Sequence, residues 1–301
     1  MDLLEQKPNV VDRTDVLRKY GDAFSPNKGN WEKIQGDIVF EDVSFMYPDG
    51  KEYVLEHFNL HVPAGMNVAI VGETGAGKST LVNLVGRFFE PTKGRILIDG
   101  VDYRERSQLW LHSQIGYVLQ NPHLFSGTVR ENIRYGRLDA SDEEIEEAAR
   151  NVSADMVVAK MEKGYDSDVG ESGGLLSTGE KQLISFARAV LANPAIFVLD
   201  EATSSIDTQT EKLIQDATNH LLKGHTSFVI AHRLSTIRQA DLILVVKDGK
   251  IIERGSHPEL LEQKGYYYEL YSRQFEEEEA MKVFAGATFA GETDWESVCQ
   301  P

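Results

Sequence analysis

A glycine-rich stretch at residues 72–80 constrains this chain more than any other feature of its 301 residues. The stretch reads Gly72-Glu73-Thr74-Gly75-Ala76-Gly77-Lys78-Ser79-Thr80 and fits the phosphate-cradling pattern G-x-x-x-x-G-K-S/T. Its glycines let backbone N–H groups converge on a phosphate, and a helix start adds partial positive charge. Lys78 is expected to reach the β- and γ-phosphates of a nucleotide, and Ser79 is expected to offer its hydroxyl to Mg²⁺.

The residues around this loop supply the context that the motif requires. The apolar run Val68–Val71 precedes it, as a buried strand would. A helical pattern of apolar residues follows it and ends before Pro91. The sequence therefore predicts a strand, a phosphate loop and a helix in that order.

Polar side chains follow four apolar runs of strand length. The run that ends at Val71 is followed by the phosphate loop, and the run that ends at Leu119 is followed by Gln120. Asp200 and Glu201 follow Leu199, and His232 follows Ile230 after one intervening residue. In open α/β sheets, ligands bind outside the carboxyl ends of the parallel strands. We therefore expect all of these polar groups to lie along one edge of a parallel sheet.

The chemistry of each group suggests a role beside a nucleotide. Asp200, at a strand tip, is suited to the Mg²⁺ shell, which Gln120 could complete. Glu201 follows directly and points elsewhere, which suits it to polarising a water for attack on the γ-phosphorus. His232 could bridge the γ-phosphate and that water. Taken singly, each residue has a structural explanation, such as a turn or a helix cap, and their joint placement favours the functional one.

The rest of the chain predicts a second, antiparallel layer and several helices. Strand patterns span 38–45, 54–62 and 94–98, and a hairpin crosses Asp248-Gly249. Helical patterns span 142–161, 178–192, 209–222 and 258–273. Residues 1–35 are polar and predict a linker with one helical turn, while 276–301 form an acidic tail.

Composition excludes several classes of protein. The net charge of −17 argues against binding nucleic acid or anionic lipid directly. The single cysteine, Cys299, rules out a disulfide framework or a cysteine zinc site. His57 and His61 share a predicted strand face, but no third metal ligand is evident. No apolar run approaches the ~18 residues that span a bilayer.

The stretch Leu176-Ser177-Thr178-Gly179-Glu180-Lys181-Gln182, followed by Ile196–Glu201, resembles the signature and Walker B strand of ABC ATPases. The resemblance covers about residues 36–275 and implies a P-loop NTPase parallel-sheet core, an antiparallel layer and a helical subdomain at about 121–193. It implies that the cofactors are ATP and Mg²⁺. It assigns catalysis to Glu201, His232 and Lys78, and the metal to Ser79, Gln120 and Asp200. Nucleotide contacts fall on Tyr47, Val54, Gly72, Thr74, Gly75, Ala76, Gly77, Lys78, Ser79, Thr80 and Gln120, and on Ser177, Thr178, Gly179, Glu180 and the D-loop residue Asp207.

Two further stretches resemble the exporter subclass of that family. They are residues 115–133 and the X-loop-like run at 168–174. In exporters these surfaces meet the coupling helices of a transmembrane domain, at the cytoplasmic face of the membrane. The start, Leu3–Pro8, resembles the linker after a last membrane helix. The chain would then be an excised fragment, a truncated reading frame, or a half whose membrane part is separate.

The signature departs from the family pattern LSGGQ at two positions. Ser177 and Glu180 still predict a capping box, so a helix is still expected to begin at Thr178. Thr178 adds a branched side chain where backbone must approach phosphate, and Glu180 brings negative charge to an anion-binding helix end. In heterodimeric exporters of this family, one half keeps the catalytic residues but carries a weakened signature. We expect a second cassette as the partner, in a heterodimer by preference, although a homodimer remains open.

Two other classes of protein fit the sequence less well. An assembly module for DNA repair would place a long coiled coil between the phosphate loop and the signature, yet only about 100 residues without heptads separate them here. Translation-type ABC factors carry two cassettes, and this sequence shows one. A non-hydrolysing, ATP-dependent clamp would not require both Glu201 and His232.

Overall fold

The computed structural model describes residues 10–120, 122–201, 208–273 and 275. The predicted D-loop residue Asp207, the linker start at Leu3–Pro8 and the acidic tail at 276–301 lie outside these residues. So does Asn121, in the middle of the first exporter-like stretch.

The described strands form two sheets. They are β1 (Ile38–Phe45), β2 (Leu55–Val62), β3 (Asn67–Val71), β4 (Lys93–Ile98), β5 (Val101–Asp102), β6 (Ile115–Val118), β7 (Ile196–Asp200), β8 (Thr226–Ile230), β9 (Leu242–Lys247) and β10 (Lys250–Gly255). One sheet has the order β10-β9-β3-β8-β7-β6, and the other has the order β2-β1-β4-β5.

The α-helices in the described part of the chain lie mostly between strands in the sequence. They are α1 (Thr14–Tyr20), α2 (Lys78–Val85), α3 (Gln108–Ser113), α4 (Val129–Arg134), α5 (Asp142–Asn151), α6 (Asp155–Val158), α7 (Thr178–Ala192), α8 (Thr208–Leu222), α9 (Leu234–Gln239) and α10 (His257–Gln263). Of the helices in the described part of the chain, none combines the length and apolar character that crossing a bilayer requires.

The phosphate loop leaves the middle of the larger sheet. β3 pairs in parallel with β8 on one side and with β9 on the other. Alternate residues of β3 enter two different cores, with Val68 and Ile70 on one face and Ala69 and Val71 on the other. Burial on both faces explains the uninterrupted apolar run. The predicted α/β class, with a parallel core and an antiparallel layer, is confirmed.

The smaller sheet is antiparallel and packs over one face of the larger one. Their shared core holds side chains from both sheets and from α2. The hairpin predicted across Asp248-Gly249 is present as β9 and β10. The opposite face of the larger sheet packs against α4, α5, α7 and α8. Three of these helices, α4, α5 and α7, start with a capping box, which fixes their N-terminal ends.

Two predicted helices are each broken. The helix predicted at 142–161 divides into α5 and α6, because Ser153 takes a left-handed conformation with φ 58°. The closing helix predicted at 258–273 divides at Lys264, with φ 51°, into α10 and a helical segment at 266–273. A left-handed residue ends a helix even where the apolar pattern continues.

Residues 10–35 are folded onto the domain, which corrects the expected linker with one helical turn. α1 has seven residues, and its Val16 and Tyr20, spaced i, i+4, are each 2% exposed. The Trp110 indole N–H donates to the Glu32 carbonyl, at 2.9 Å. Asp12 adds a further contact, because its carboxylate accepts from the Gln108 N–H.

Asp12 also pairs with Arg87, a fully buried cation. Arg87 Nη1 lies 3.0 Å from Asp12 Oδ1, and its Nε donates to Glu90 Oε1 at 2.9 Å. A second hydrogen bond from Nη1 reaches the Arg106 carbonyl at 2.7 Å. Since a charge removed from water needs such partners, Asp12 is expected to stabilise the domain.

We predict that Asp12→Ala lowers the free energy of unfolding by about 2–3 kcal/mol, because Arg87 loses a carboxylate and Gln108 loses its acceptor. The measurement is the midpoint of urea unfolding followed by tryptophan fluorescence. Asp15→Ala is the matched control, since Asp15 lies in the same segment and its ion pair in the described part of the chain is with exposed Arg13. We expect no change in its midpoint. Equal midpoints for both variants would show that the Asp12–Arg87 pair does not anchor the segment.

Candidate active site

The carboxyl ends of β3, β7 and β8 bring the predicted polar groups together. Asp200 pairs with Ile230 in the β7–β8 register, and the Ala231 N–H donates to the Ile70 carbonyl at 3.2 Å. The phosphate loop, the end of β7 and the loop after β8 are therefore direct neighbours. Gln120 lies two residues beyond β6, on the far side of β7, and its side chain is exposed.

The phosphate loop depends on glycine at its two ends. Gly72 has φ 153°, and a Cβ there would lie 2.2 Å from the Val246 carbonyl oxygen. Gly77, with φ 106°, sits at the N-cap of α2. Between them Thr74 and Gly75 are exposed, while the Ala76 carbonyl accepts from the Gly249 N–H at 3.0 Å. The β9–β10 turn thus braces the loop from one side.

Lys78 is held over its own loop. Its side chain is buried, and Nζ donates to the Gly72 carbonyl at 2.7 Å and the Glu73 carbonyl at 2.8 Å. Burial lowers the pKa of Lys78, and the nearby Asp200 carboxylate opposes that shift. Phosphate oxygens could replace the two carbonyls as acceptors, because the ammonium group already points into the loop.

An aromatic residue lies beside the first turn of α2. The Tyr47 hydroxyl is 2.9 Å from Thr80 Oγ1, and the ring makes edge contacts with Phe45 and Phe89. Val54 contributes an apolar contact nearby, since a Cβ on Gly77 would lie 3.6 Å from Val54 Cγ1. Tyr47 and Val54 therefore border the phosphate loop, where an adenine ring would follow its phosphates.

Oxygen ligands suited to Mg²⁺ flank the same loop. Ser79 carries an exposed hydroxyl at the start of α2, and the carboxylate of Asp200 is half-buried at the end of β7. Burial raises the pKa of Asp200, while His232 and Lys78 oppose the rise. A hydroxyl and one carboxylate fit Mg²⁺, which takes few protein ligands beside phosphate oxygens. The described residues contain no group of three His, Cys, Asp or Glu that could hold a metal.

The Glu201 carboxylate turns away from that of Asp200 and into the loop after β8. It is 6% exposed, and its Oε2 accepts from the backbone N–H groups of His232 at 3.0 Å and Arg233 at 3.1 Å. Oε1 accepts from the Thr236 hydroxyl at 2.5 Å. Burial raises the pKa of Glu201. The hydrogen bonds that its carboxylate accepts, chiefly the one from Thr236, oppose that rise.

His232 stands between the charged groups of the edge. Burial lowers the pKa of its imidazole, Lys78 lowers it further, and Asp200 acts in the opposite sense. A neutral imidazole can donate from one nitrogen and accept at the other, so it can bridge two ligand oxygens.

Comparison with known proteins identifies the family to which this chain belongs. A sequence profile of the ABC transporter family matches residues 55–204, which contain the phosphate loop, Asp200 and Glu201. An uncharacterized ABC transporter ATP-binding protein of Bacillus subtilis is 54% identical over 263 residues, or 87% of this chain. This chain is an ABC transporter ATP-binding domain. Domains of this family bind ATP and are ATPases in general.

Relatives of this ABC domain include proteins named as transporters. A fatty acid ABC transporter ATP-binding/permease protein of Mycobacterium bovis is 54% identical over 256 residues, covering 85% of this chain and 40% of the relative. The ATP-dependent lipid A-core flippase of Salmonella typhimurium is 49% identical over 245 residues, covering 81% and 42%. This chain spans about two fifths of the length of each of these three relatives, including 43% of the Bacillus protein.

A solved structure supports the same assignment. A bacterial Atm1-family ABC exporter with ATP bound superposes with a TM-score of 0.74 at 42% sequence identity. The match covers 80% of this ABC domain and 42% of that chain.

The signature of the ABC domain lies at the start of α7. The predicted helix Thr178–Ala192 has the observed bounds, and the capping box is present. The Ser177 N–H and hydroxyl both donate to Glu180 Oε2 at 2.9 Å, and the Glu180 N–H donates back to Ser177 Oγ at 3.3 Å. Thr178 is exposed and Gly179 is buried. The carboxylate of Glu180 therefore sits at the helix end where a signature would meet phosphate.

Sequence reasoning missed the groups that hold Glu201. The sequence analysis predicts no role for Thr236 or for the N–H of Arg233, although both follow the candidate histidine closely. Thr236 comes four residues after His232, in the first turn of α9, whereas His232 precedes that helix. That spacing is the signal that could have identified it.

Proposed function

We propose that this chain is the ATP-binding and ATP-hydrolysing cassette of an ABC exporter, in which ATP-driven association with a second cassette powers export through a transmembrane domain. The observation that carries this proposal is the convergence of Lys78, Asp200, Glu201 and His232 at one sheet edge. The names of the relatives, a fatty acid transporter, a lipid flippase and an Atm1-family exporter, support export.

In this proposal the nucleotide lies across the start of α2. The rings of Tyr47 and adenine stack, with Val54 beside them. Backbone N–H groups of the phosphate loop bind the phosphates, and the Lys78 ammonium pairs with the β- and γ-phosphates. The binding residues of the loop are Gly72, Thr74, Gly75, Ala76, Gly77, Lys78, Ser79 and Thr80.

Mg²⁺ would be held by the Ser79 hydroxyl and the Asp200 carboxylate, with Gln120 completing the shell. When bound, the ion supplies charge neutralisation at the β- and γ-phosphate oxygens. The burial that raises the pKa of Asp200 disfavours its isolated anion, which suits a carboxylate whose working partner is a cation.

In this proposal each charged or polar residue at the sheet edge has a separate role in ATP hydrolysis. A water oxygen attacks the γ-phosphorus as the bond to the β-phosphate oxygen breaks, and Glu201 accepts the proton that the water loses. Neutral His232 orients that water against the γ-phosphate through its ring nitrogens. Lys78 balances the negative charge on the phosphates. A raised pKa makes Glu201 a stronger base than an ordinary carboxylate.

The second half of each site would come from a second cassette. Ser177, Thr178, Gly179 and Glu180, with Asp207, would face the nucleotide held by the partner. Glu180 and the branched Thr178 disfavour close approach of phosphate, whereas Glu201 and His232 are present. This mismatch supports a heterodimer in which the phosphate loop of this chain meets a stronger signature, with a homodimer as the alternative.

The remaining surfaces would serve the transmembrane domain. Residues 115–133 and 168–174 would contact its coupling helices and hold the cassette at the cytoplasmic face of the membrane. The charge of −17 supports neither nucleic acid nor direct lipid as a ligand.

We predict that restoring the family pattern LSGGQ in the signature raises the ATPase rate of the chain. The double variant Thr178→Gly, Glu180→Gln is expected to hydrolyse ATP about tenfold faster than the wild type, because backbone donors would then face phosphate without a nearby carboxylate. The measurement is phosphate release from MgATP over a series of protein concentrations. Glu171→Gln, which removes an exposed carboxylate just before the signature, is the matched control.

The outcomes separate the parts of the proposal. If the wild-type chain alone hydrolyses ATP cooperatively and as fast as the double variant, the heterodimer proposal is wrong. If neither protein binds or hydrolyses ATP, the cassette function itself is wrong.

A further inference from the structure

The carboxylate of Glu201 is held by a residue that has no role in the function proposed above. Thr236, in α9, is 7% exposed, and its hydroxyl is the one described side-chain donor to Glu201. It reaches Oε1, whereas the two backbone N–H groups reach only Oε2. The two carboxylate oxygens therefore depend on different parts of the loop between β8 and α9.

We propose that Thr236 is a positioning residue for ATP hydrolysis: its hydroxyl fixes the plane of the Glu201 carboxylate relative to the loop that carries His232. The proposal rests on the base role proposed for Glu201. Rotation about the last bond of a glutamate side chain has a broad energy profile, so bonds to one oxygen alone leave the plane free to turn. The bond to Oε1 removes that freedom.

The hydroxyl of Thr236 makes this bond across elements of the fold, where a helical threonine commonly bonds its own helix. Thr218 in α8 shows the common case, because its hydroxyl donates to the Ile214 carbonyl one turn earlier, at 2.8 Å. Thr236 instead spans from α9 to the residue after β7. Thr236 is the third residue of α9, so no turn of its own helix precedes it, and its hydroxyl donates to Glu201 instead.

The bond also joins two groups of the proposed reaction in one rigid unit. The His232 N–H, just before α9, and the Thr236 hydroxyl, in the first turn of α9, both donate to Glu201. Arg233, between them, reaches towards Glu211 of α8, with 3.9 Å between Nε and Oε1. Any displacement of this loop therefore moves the histidine and the carboxylate together, which keeps a water between them in a constant geometry.

The test compares substitutions at this position in the full chain with MgATP. Thr236→Val has nearly the same volume and lacks the donor, so kcat is expected to fall about 10- to 100-fold with KM for ATP within about twofold. Thr236→Ser keeps a hydroxyl and is expected to restore most of kcat. Thr218→Val is the matched control, since it removes a buried hydroxyl that makes no contact with Glu201.

A second measurement does not depend on turnover. Hydrogen–deuterium exchange of the His232 and Arg233 amides is expected to be about threefold faster in Thr236→Val, because their carboxylate acceptor loses its fixed orientation. Thr236→Ser and Thr218→Val are expected to exchange like the wild type there. Thr236→Ala, measured in the same way, replaces the valine variant if that variant does not fold.

The outcomes distinguish this inference from the function on which it rests. Unchanged kcat and unchanged exchange in Thr236→Val, together with an inactive Glu201→Gln, would overturn the positioning role and leave the base role intact. A faster Thr236→Val enzyme would also overturn it, since the bond would then restrain the carboxylate. Turnover that persists in Glu201→Gln refutes the base role instead.

Discussion

Replacing Glu201 with glutamine is expected to lower the ATPase rate of the assembled cassette about 100-fold or more, because an amide cannot accept a proton from the attacking water. The substitution fits the observed site. Its carbonyl oxygen can accept from the N–H groups of His232 and Arg233, and its NH₂ group can donate to the Thr236 hydroxyl. ATP binding is therefore expected to persist, and the variant should accumulate as an ATP-bound dimer.

Phosphate release measures the first effect, and light scattering after size-exclusion chromatography in MgATP measures the second. Glu211→Gln is the matched control, because it removes a half-exposed carboxylate that contacts the same loop through Arg233. Its rate is expected to stay within about twofold of the wild type, as for most surface changes. Turnover that is unchanged in Glu201→Gln would remove Glu201 from the base role.

Replacing Lys78 with methionine is expected to weaken ATP binding about 100-fold or more. Methionine preserves much of the length of the side chain but removes the ammonium group, and loss of one partner of a buried charge pair costs about 2–5 kcal/mol. The loop loses the two hydrogen bonds from Lys78 to the Gly72 and Glu73 carbonyls, but it keeps the bond from the Gly249 N–H to the Ala76 carbonyl and is expected to persist.

Isothermal titration calorimetry with MgATP gives the dissociation constant directly. Lys212→Met is the matched control, because Lys212 is exposed on α8. Its dissociation constant is expected to remain within about twofold of the wild type. If Lys78→Met binds ATP as tightly as this control, the phosphates do not contact the ammonium group.

Local patterns were sufficient to predict the parallel core and the clustering of polar groups at its edge. Strands such as Ile196–Asp200 are apolar up to their last residue because they are buried on both faces, and polar residues stand where the strand ends. The phosphate loop is equally local, since its motif lies within nine consecutive residues. Features of this kind need no information about distant contacts.

Contacts between distant segments were harder to predict. Nothing in the sequence places β9 beside β3, because a parallel pairing leaves no turn signal between the strands. α1 is short, so its two buried side chains make too small a pattern to detect. The breaks at Ser153 and Lys264 fall inside segments predicted as single helices, and both residues take left-handed conformations that their residue types do not announce. The bond from Thr236 to Glu201 joins residues 35 positions apart.

The buried ion pair at Arg87 has a mechanical consequence. α2 starts with Lys78, and Arg87 follows two residues after its last one, so the helix forms a rod about 12 Å long between the phosphate loop and Asp12. The Asp12–Arg87 pair therefore fixes residues 10–35 to the end of α2 that lies opposite the phosphate loop, so one short helix joins the N-terminal segment to the candidate nucleotide site.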